Sequence, residues 1–156
     1  KGLASHKDAD PFRKSPPSGL FLLVPKKTKT FSELMSLVEV DGKSGGNYLD
    51  GQYLVDEVET PKTSYLCLDV EDGASRLNVR PSTSLKNILI EERSPGTAYE
   101  GVIFSVLFPE VLRHHSIDLV GSRYNSKDRP NLYLGGGIPM LYNRWHGSAH
   151  PACGAW

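Results

Sequence analysis

Three amphipathic stripes constrain the fold of this 156-residue chain more than any other feature of its sequence. They cover residues 31–38, 85–92 and 98–107, and each places apolar side chains three or four residues apart, as one face of a helix requires. Helices this short are stable only when that face is buried against other elements. The chain is therefore expected to fold by packing about three short helices against strands.

Two of the helix starts carry a specific signal. Thr30 with Glu33, and Thr97 with Glu100, stand at the spacing of a capping box, in which each side chain bonds the other residue's backbone N–H. The remaining helix is expected to begin at Ser82, or one residue later, because a hydroxyl side chain there caps the first turn.

Short apolar runs predict the strands. Residues 20–24, 53–55, 65–70 and 131–134 are rich in apolar and aromatic side chains and are bounded by proline, glycine or aspartate. In the run 65–70, alternation places Leu66, Leu68 and Val70 on one face and Cys67 on the other. We therefore predict an α+β domain, with a small mixed or antiparallel sheet and the helices on one side.

Glycine and proline divide the rest of the chain. Residues 1–19 are charged and proline-containing, which predicts an extended leader, followed by a single globular domain over residues 20–156. Residues 135–137 and 147–151 cannot form helix interiors. They predict an irregular C-terminal lobe.

Composition excludes several classes of protein. The chain is 38% hydrophobic and 23% charged, with no apolar run near the roughly 18 residues that a membrane helix needs. Its two cysteines are too few for a disulfide scaffold, which favours a reducing, cytoplasmic compartment. Exposed aromatic residues near the end are compatible with a homo-oligomer.

Charge is unevenly distributed, although its formal sum is zero. Residues 1–30 hold seven basic and two acidic residues, residues 31–72 hold two basic and ten acidic, and residues 73–156 hold nine basic and six acidic. Self-neutralisation or a solvated surface is the favoured explanation. Because no dense basic block with aromatic residues is present, nucleic acid is disfavoured as a partner.

Five short motifs carry a resemblance to known sequences. They are Tyr-Glu-Gly-Val at 99–102, Phe-Pro-Glu-Val-Leu at 108–112, Gly-Ser-Arg at 121–123, Pro-Asn-Leu-Tyr-Leu at 130–134, and the run from Gly147 to Gly154. Over about residues 31–156 the chain resembles a family of small uncharacterised bacterial proteins, a domain of unknown function. The resemblance implies a bacterial, cytoplasmic, stand-alone domain, and it supplies no catalytic residue.

Histidine and cysteine near the C-terminus suggest chemistry of two kinds. His146, His150 and Cys153 form a His-x3-His-x2-Cys pattern that zinc would accept if the loop folded back on itself. The alternative assignment is a nucleophile, Cys153 or Ser148, beside one of these histidines. Ordinary hydrogen-bonded histidines, with no metal or cofactor, are the simpler and favoured explanation of the pattern.

A polar binding surface is the third candidate. Arg123, Asn125, Arg144, Trp145 and His146, together with a tyrosine at 124, fall in expected loops. Arginine offers paired donors to a carboxylate or phosphate, and an aromatic ring offers rigid contact area. The competing interpretation pairs Arg123 with Asp118 or Asp128 and buries Trp145 in the core.

The sequence leaves the function unassigned between two classes. The leading hypothesis is a binding or accessory protein that takes a small polar ligand or a protein on its C-terminal polar loops. The alternative is a hydrolase-like enzyme with a His/Cys metal site or dyad.

Overall fold

The computed structural model describes residues 20–156, and the predicted leader at 1–19 lies outside the described residues. Three α-helices are described: α1 (Phe31–Met35), α2 (Pro81–Ile90) and α3 (Ala98–Leu107). Short 3-10 helices are also described, at Gly51–Tyr53, Ala74–Arg76 and Pro109–Arg113. The predicted α+β class, with three helices, is confirmed.

Eleven strands are described between residues 20 and 156, and most are short. In chain order they are β1 (Phe21–Val24), β2 (Glu39–Val40), β3 (Lys43–Ser44), β4 (Gly46–Asn47), β5 (Leu54–Asp56), β6 (Tyr65–Leu68), β7 (Ser116–Asp118), β8 (Ser122–Tyr124), β9 (Asp128–Gly135), β10 (Ile138–Trp145) and β11 (Cys153–Ala155).

Seven of these strands form one mixed sheet. Its main path is β11-β7-β9-β10-β4, and β8 joins β9 to β5 at the side. The β11–β7 and β10–β4 pairs are parallel and the others are antiparallel. Two separate antiparallel pairs complete the fold, β1 with β6 and β2 with β3.

The C-terminal region is more regular than the sequence suggested. It contains the longest hairpin described, β9–β10, whose tight turn is closed by Gly136 and Gly137 with φ of 59° and 78°. Positive φ at both central residues is what a two-residue hairpin turn demands, and glycine adopts it without strain. The expected irregular lobe is therefore corrected: between β10 and β11 only residues 146–152 lack strand structure.

Local signals located two helices correctly. Both capping boxes are formed, with Thr30 Oγ1 accepting from the Glu33 backbone and Thr97 Oγ1 from the Glu100 backbone. Helix α1 nevertheless ends at Met35, earlier than its stripe, and α2 begins at Pro81, before the expected cap. Proline suits a first helical position, because its missing N–H would have no partner there.

Helix α3 is the centre of the core. All of its residues from Ala98 to Val106 are buried, and the helix packs against α1. The buried apolar side chains around it come from β1, α1, β7, β9 and β10, and they include Leu22, Leu34, Met35, Ile117, Leu132 and Leu141. No helix of the described residues is long and apolar enough to cross a membrane.

The alternation predicted for residues 65–70 holds within β6 and is broken after it. Tyr65 and Cys67 pack against the core, whereas Leu68 is 58% exposed. Asp69, at φ 52°, interrupts the strand, and Val70 beyond it packs on the core again. One residue in the left-handed region shifts the alternation, which period-two reasoning cannot foresee.

The backbone of β11 lies close to the backbone of the turn after β6, at Gly154 and Gly73. A Cβ atom added to Gly154 in β11 would lie 2.0 Å from the carbonyl oxygen of Gly73. Because that obstacle is backbone, it cannot be relieved by a change of rotamer. The contact fixes β11 against the turn that follows β6.

We expect Gly154→Ala to lower the free energy of unfolding by about 1–3 kcal/mol, since the backbone at residue 73 must shift. Urea denaturation measures this loss. Gly51→Ala is the matched control, because nothing lies within 4 Å of its added Cβ, and it should change stability by less than about 0.5 kcal/mol. Equal stability of the two variants would contradict the close approach.

Candidate functional site

A cleft of about 450 Å³ runs along one edge of β6. Every residue of β6 lines it, including neighbours whose side chains point to opposite faces, whereas no residue of β1 does. A space that touches successive residues of a strand follows the strand's backbone edge. We call this space the β6 cleft; its other walls come from the end of α2, the loop before α3, and Trp156.

Glu100 lies at the buried end of the β6 cleft and is 8% exposed. Its Oε2 accepts hydrogen bonds from the Thr97 backbone N–H (2.7 Å) and hydroxyl (2.8 Å). Its Oε1 accepts from the Tyr65 hydroxyl at 2.8 Å and the Cys67 thiol at 3.5 Å. Four donors and the start of α3 stabilise the carboxylate, and no lysine or arginine among residues 20–156 forms an ion pair with it.

The two donors from β6 stay protonated. Burial, together with the charge of Glu100, raises the pKa of the Tyr65 hydroxyl far above its usual range. The same two causes raise the pKa of the Cys67 thiol to about 12. Because a thiol must ionise to attack or to ligate a metal, Cys67 is suited to donating a hydrogen bond and not to nucleophilic chemistry.

The two arginines of the cleft are already paired. Arg76 binds Glu71 at 2.5 Å and also Glu91, and Arg93 binds the Asp69 carboxylate at 2.7 Å and its backbone carbonyl at 2.6 Å. An anionic ligand would meet guanidinium groups whose charge is already offset by carboxylates. These ion pairs hold the two arginine side chains in place in the wall of the cleft.

The remaining charge in the β6 cleft is negative. Among residues 20–156, five carboxylates and two guanidinium groups line it, which leaves a net charge of −3 from these residues. Within the described part of the chain, Glu59 and Glu92 make neither an ion pair nor a side-chain hydrogen bond. The cleft is therefore an acidic space with an exposed carboxylate on two different loops.

Aromatic rings complete the walls. Tyr65 and Trp156 both line the cleft. The Trp156 ring packs on Phe104 at 5.4 Å between centroids and lies so close to Gly96 that an added Cβ would be 2.5 Å from it. Rings beside carboxylates are the usual surroundings of a bound organic cation.

Comparison with known proteins places the chain in one family. A family model described as a family of unknown function, DUF5701, matches residues 2–140. The chain belongs to this family. No curated protein and no solved structure matches the chain.

The DUF5701 match differs in extent from the resemblance found in the sequence. It includes the leader segment from residue 2 and stops within β10, so the motif at 147–154 lies beyond it. Strand β6, both cleft arginines and Glu100 fall inside the match, whereas Trp156 falls outside. The matched residues therefore include most of those that line the β6 cleft, and the family description assigns no function to them.

The predicted polar surface is arranged differently from expectation. Arg123 binds Glu57 at 3.0 Å and donates to the Asn125 carbonyl, and Arg129 binds the same Glu57 at 2.5 Å. Asn125 occupies the turn after β8 at φ 55°. Arg123 thus has a carboxylate partner, but that partner is Glu57, from the region after β5, and not Asp118 or Asp128 as the competing interpretation expected.

The second half of the predicted surface lies at the end of β10. Arg144 binds buried Asp118 at 3.0 Å and donates to the Ser148 carbonyl at 2.5 Å. Trp145 is 56% exposed, so the interpretation that buries it in the core is wrong. Its ring meets the His146 ring edge-on with centroids 6.4 Å apart. The guanidinium groups of Arg123 and Arg144 are each paired with a carboxylate of the same chain. That these residues bind a ligand stays a prediction.

The histidines and Cys153 do not converge. Cys153 is buried in β11, and His150 is exposed, with its Nδ1 accepting from the Ala152 N–H at 3.2 Å. Between residues 20 and 156 no group of three His, Cys, Asp or Glu side chains is placed to hold a metal. Burial, helped by Asp118, raises the pKa of the Cys153 thiol. No side-chain hydrogen bond described joins Cys153 or Ser148 to either histidine.

A buried polar cluster at the sheet was missed by the sequence reasoning. Asp118 is fully buried and accepts from the Asn131 amide at 2.8 Å as well as from Arg144. Burial raises the pKa of Asp118 to about 6, and the two donors offset only part of that rise. Asp118 lies in a three-residue strand with nothing in its local sequence to mark it, so only the pairing of β7 with β9 reveals the cluster.

We expect acid to stabilise the protein through Asp118. Because its pKa is higher in the folded than in the unfolded chain, its contribution is present below about pH 4 and is lost as the pH rises through 6, by up to about 3 kcal/mol. Asp118→Asn removes this titration while keeping the size and one acceptor oxygen.

Urea denaturation of both proteins between pH 4 and pH 7 measures the effect. The free energy of unfolding of the wild type, minus that of Asp118→Asn, should fall across this interval. A difference that rises or stays flat would refute the raised pKa.

Proposed function

We propose that this chain is a binding or accessory protein that holds a positively charged organic ligand in the β6 cleft. The observation that carries the proposal is the buried Glu100 carboxylate, which has no cationic partner among the described residues and shares its cleft with the rings of Tyr65 and Trp156. The exposed carboxylates of Glu59 and Glu92 extend the same charge toward solvent.

Magnitudes favour a cation over an anion. A cation about 6 Å from one carboxylate gains on the order of 3 kcal/mol at an effective dielectric constant of about 20. Contact with an aromatic face adds about 0.5–2 kcal/mol. An anion meets the opposite field and finds both arginines already bound to carboxylates.

A non-catalytic role suits the chemistry of the cleft. No histidine among residues 20–156 lines it, and its thiol and phenol are both held protonated. The groups present can attract, orient and desolvate a ligand, and neither the thiol nor the phenol is prepared to act as a nucleophile near neutral pH. This role retains the binding hypothesis drawn from the sequence and moves its site from the C-terminal polar loops to β6.

We also propose that the protein is cytoplasmic and of bacterial origin. Both cysteines of the chain are free, which suits a reducing compartment such as the cytoplasm. A bacterial origin rests on the resemblance of the sequence motifs.

The alternative is the hydrolase-like enzyme with a His/Cys metal site or dyad. Metal analysis of the purified protein separates it from the binding proposal. Near-stoichiometric zinc that is lost in His150→Ala would favour the enzyme.

We expect n-butylammonium to bind in the β6 cleft, with a dissociation constant of roughly 1 mM for so small a probe. Two-dimensional 15N NMR measures this, because the two tryptophan indoles report on different surfaces. The Trp156 indole and the amides of β6 should shift saturably, whereas the Trp145 indole should stay in place. Butanol and butyrate are the neutral and anionic controls of equal length.

Charge removal tests the same site. Glu92→Gln should raise the dissociation constant of n-butylammonium about two- to fivefold, as expected for one exposed carboxylate. The control Glu39→Gln changes an exposed carboxylate that does not line the cleft and should have no effect. Binding of butyrate as tight as that of butylammonium would overturn the proposal.

A further inference from the structure

We propose that the natural ligand of the β6 cleft is an extended peptide segment of a partner protein, with basic and apolar residues alternating, that adds to β6 as a third strand. This inference rests on the proposed function and goes further, because it names the class of the ligand and how it is held. It is drawn from the backbone edge of β6, from the two faces beside that edge, and from the charge of the cleft.

The edge of β6 that faces the cleft has no backbone partner in the described part of the chain. Among the strands between residues 20 and 156, β6 pairs only with β1, in the register that sets Leu68 opposite Phe21 and Tyr65 opposite Val24. No loop or turn of the same residues supplies a further backbone hydrogen bond to residues 65–68. In an antiparallel pair every second residue turns its N–H and C=O away from the partner, so these groups point into the cleft.

The usual protection of a free edge is missing here. Strand β6 contains no proline, lysine or other charged residue, and no helix or loop of the described chain pairs along it. At about 3.3 Å per residue the edge is roughly 13 Å long, enough for a peptide of four residues. Strand addition to such an edge satisfies the backbone of both chains.

The two faces beside this edge differ in chemistry. On one face Tyr65 and Cys67 point toward Glu100, so a neighbouring side chain on an added strand would approach the acidic, aromatic end of the cleft. On the other face lie Leu66 and Leu68, next to Phe21 and Leu23 of β1. Leu68 is 58% and Phe21 44% exposed, so this face is an apolar surface that the described residues leave open.

An added strand would place its side chains alternately beside these two faces. Lysine or arginine at one set of positions would meet the carboxylates and rings, and valine or leucine at the other set would cover Leu66 and Leu68. Since the cleft carries a net charge of −3, it would reject an acidic strand of the same shape. Backbone pairing supplies the geometry, and alternation supplies the specificity.

The first test uses an acetylated, amidated peptide, Lys-Val-Lys-Val-Lys, with the full chain in an NMR titration. Its dissociation constant should be at least tenfold lower than that of n-butylammonium. The isomer Lys-Lys-Val-Val-Lys has the same charge and composition without the alternation, and it should bind at least fivefold more weakly. Equal affinity for the two isomers would overturn strand addition.

N-methylation tests the backbone directly. Two versions of the alternating peptide carry N-methyl groups, either on residues 2 and 4 or on residues 1, 3 and 5 of the peptide. One set faces β6 and the other faces away, so only one version should lose binding by tenfold or more. Equal loss, or no loss, in both versions would contradict a hydrogen-bonded strand.

Hydrogen exchange in the protein gives an independent readout. Saturating peptide should slow amide exchange at alternate residues of β6 by tenfold or more, whereas n-butylammonium should not. If butylammonium binds and the peptide binds no more tightly, the peptide proposal fails while the proposed function stands. If neither binds, both fail.

Discussion

The carboxylate of Glu100 is the interaction on which the rest of the site depends. It closes the capping box that starts α3, and with its other oxygen it holds Tyr65 and Cys67 of β6. Helix α3 is the most buried element described, so this one side chain ties a peripheral strand to the centre of the core. Taking a carboxylate out of water costs several kcal/mol, and here four hydrogen bonds and the helix start offset that cost.

Strand β6 can keep an open edge because one of its faces holds it against the core. The strand is held by its core-facing side chains and by β1, so it needs no third strand to stay in place. The resulting cleft combines a rigid wall with unpaired backbone groups. A binding site made in this way needs little rearrangement before a ligand enters, which lowers the entropic cost of binding.

Ion pairs also explain the uneven distribution of charge along the sequence. Arginines of the basic C-terminal half reach carboxylates of the acidic middle region: Arg113 binds Asp41, and Arg123 and Arg129 both bind Glu57. Self-neutralisation, which the sequence analysis favoured together with a solvated surface, is therefore observed for these pairs. Glu59, Glu92 and Glu100 line the β6 cleft and form no ion pair among the described residues, so they account for its net negative charge.

Sequence alone determined the features that depend on neighbours three or four residues apart. Both capping boxes, the buried stripe of α3 and the strand at residues 21–24 follow from local spacing, because the interacting groups are close along the chain. Tertiary structure decided the site. Tyr65 and Glu100 are 35 residues apart, and Arg123 and Glu57 are 66 apart. Such contacts form only when distant strands and helices pack together, and no local pattern encodes which distant residue a buried polar group will meet.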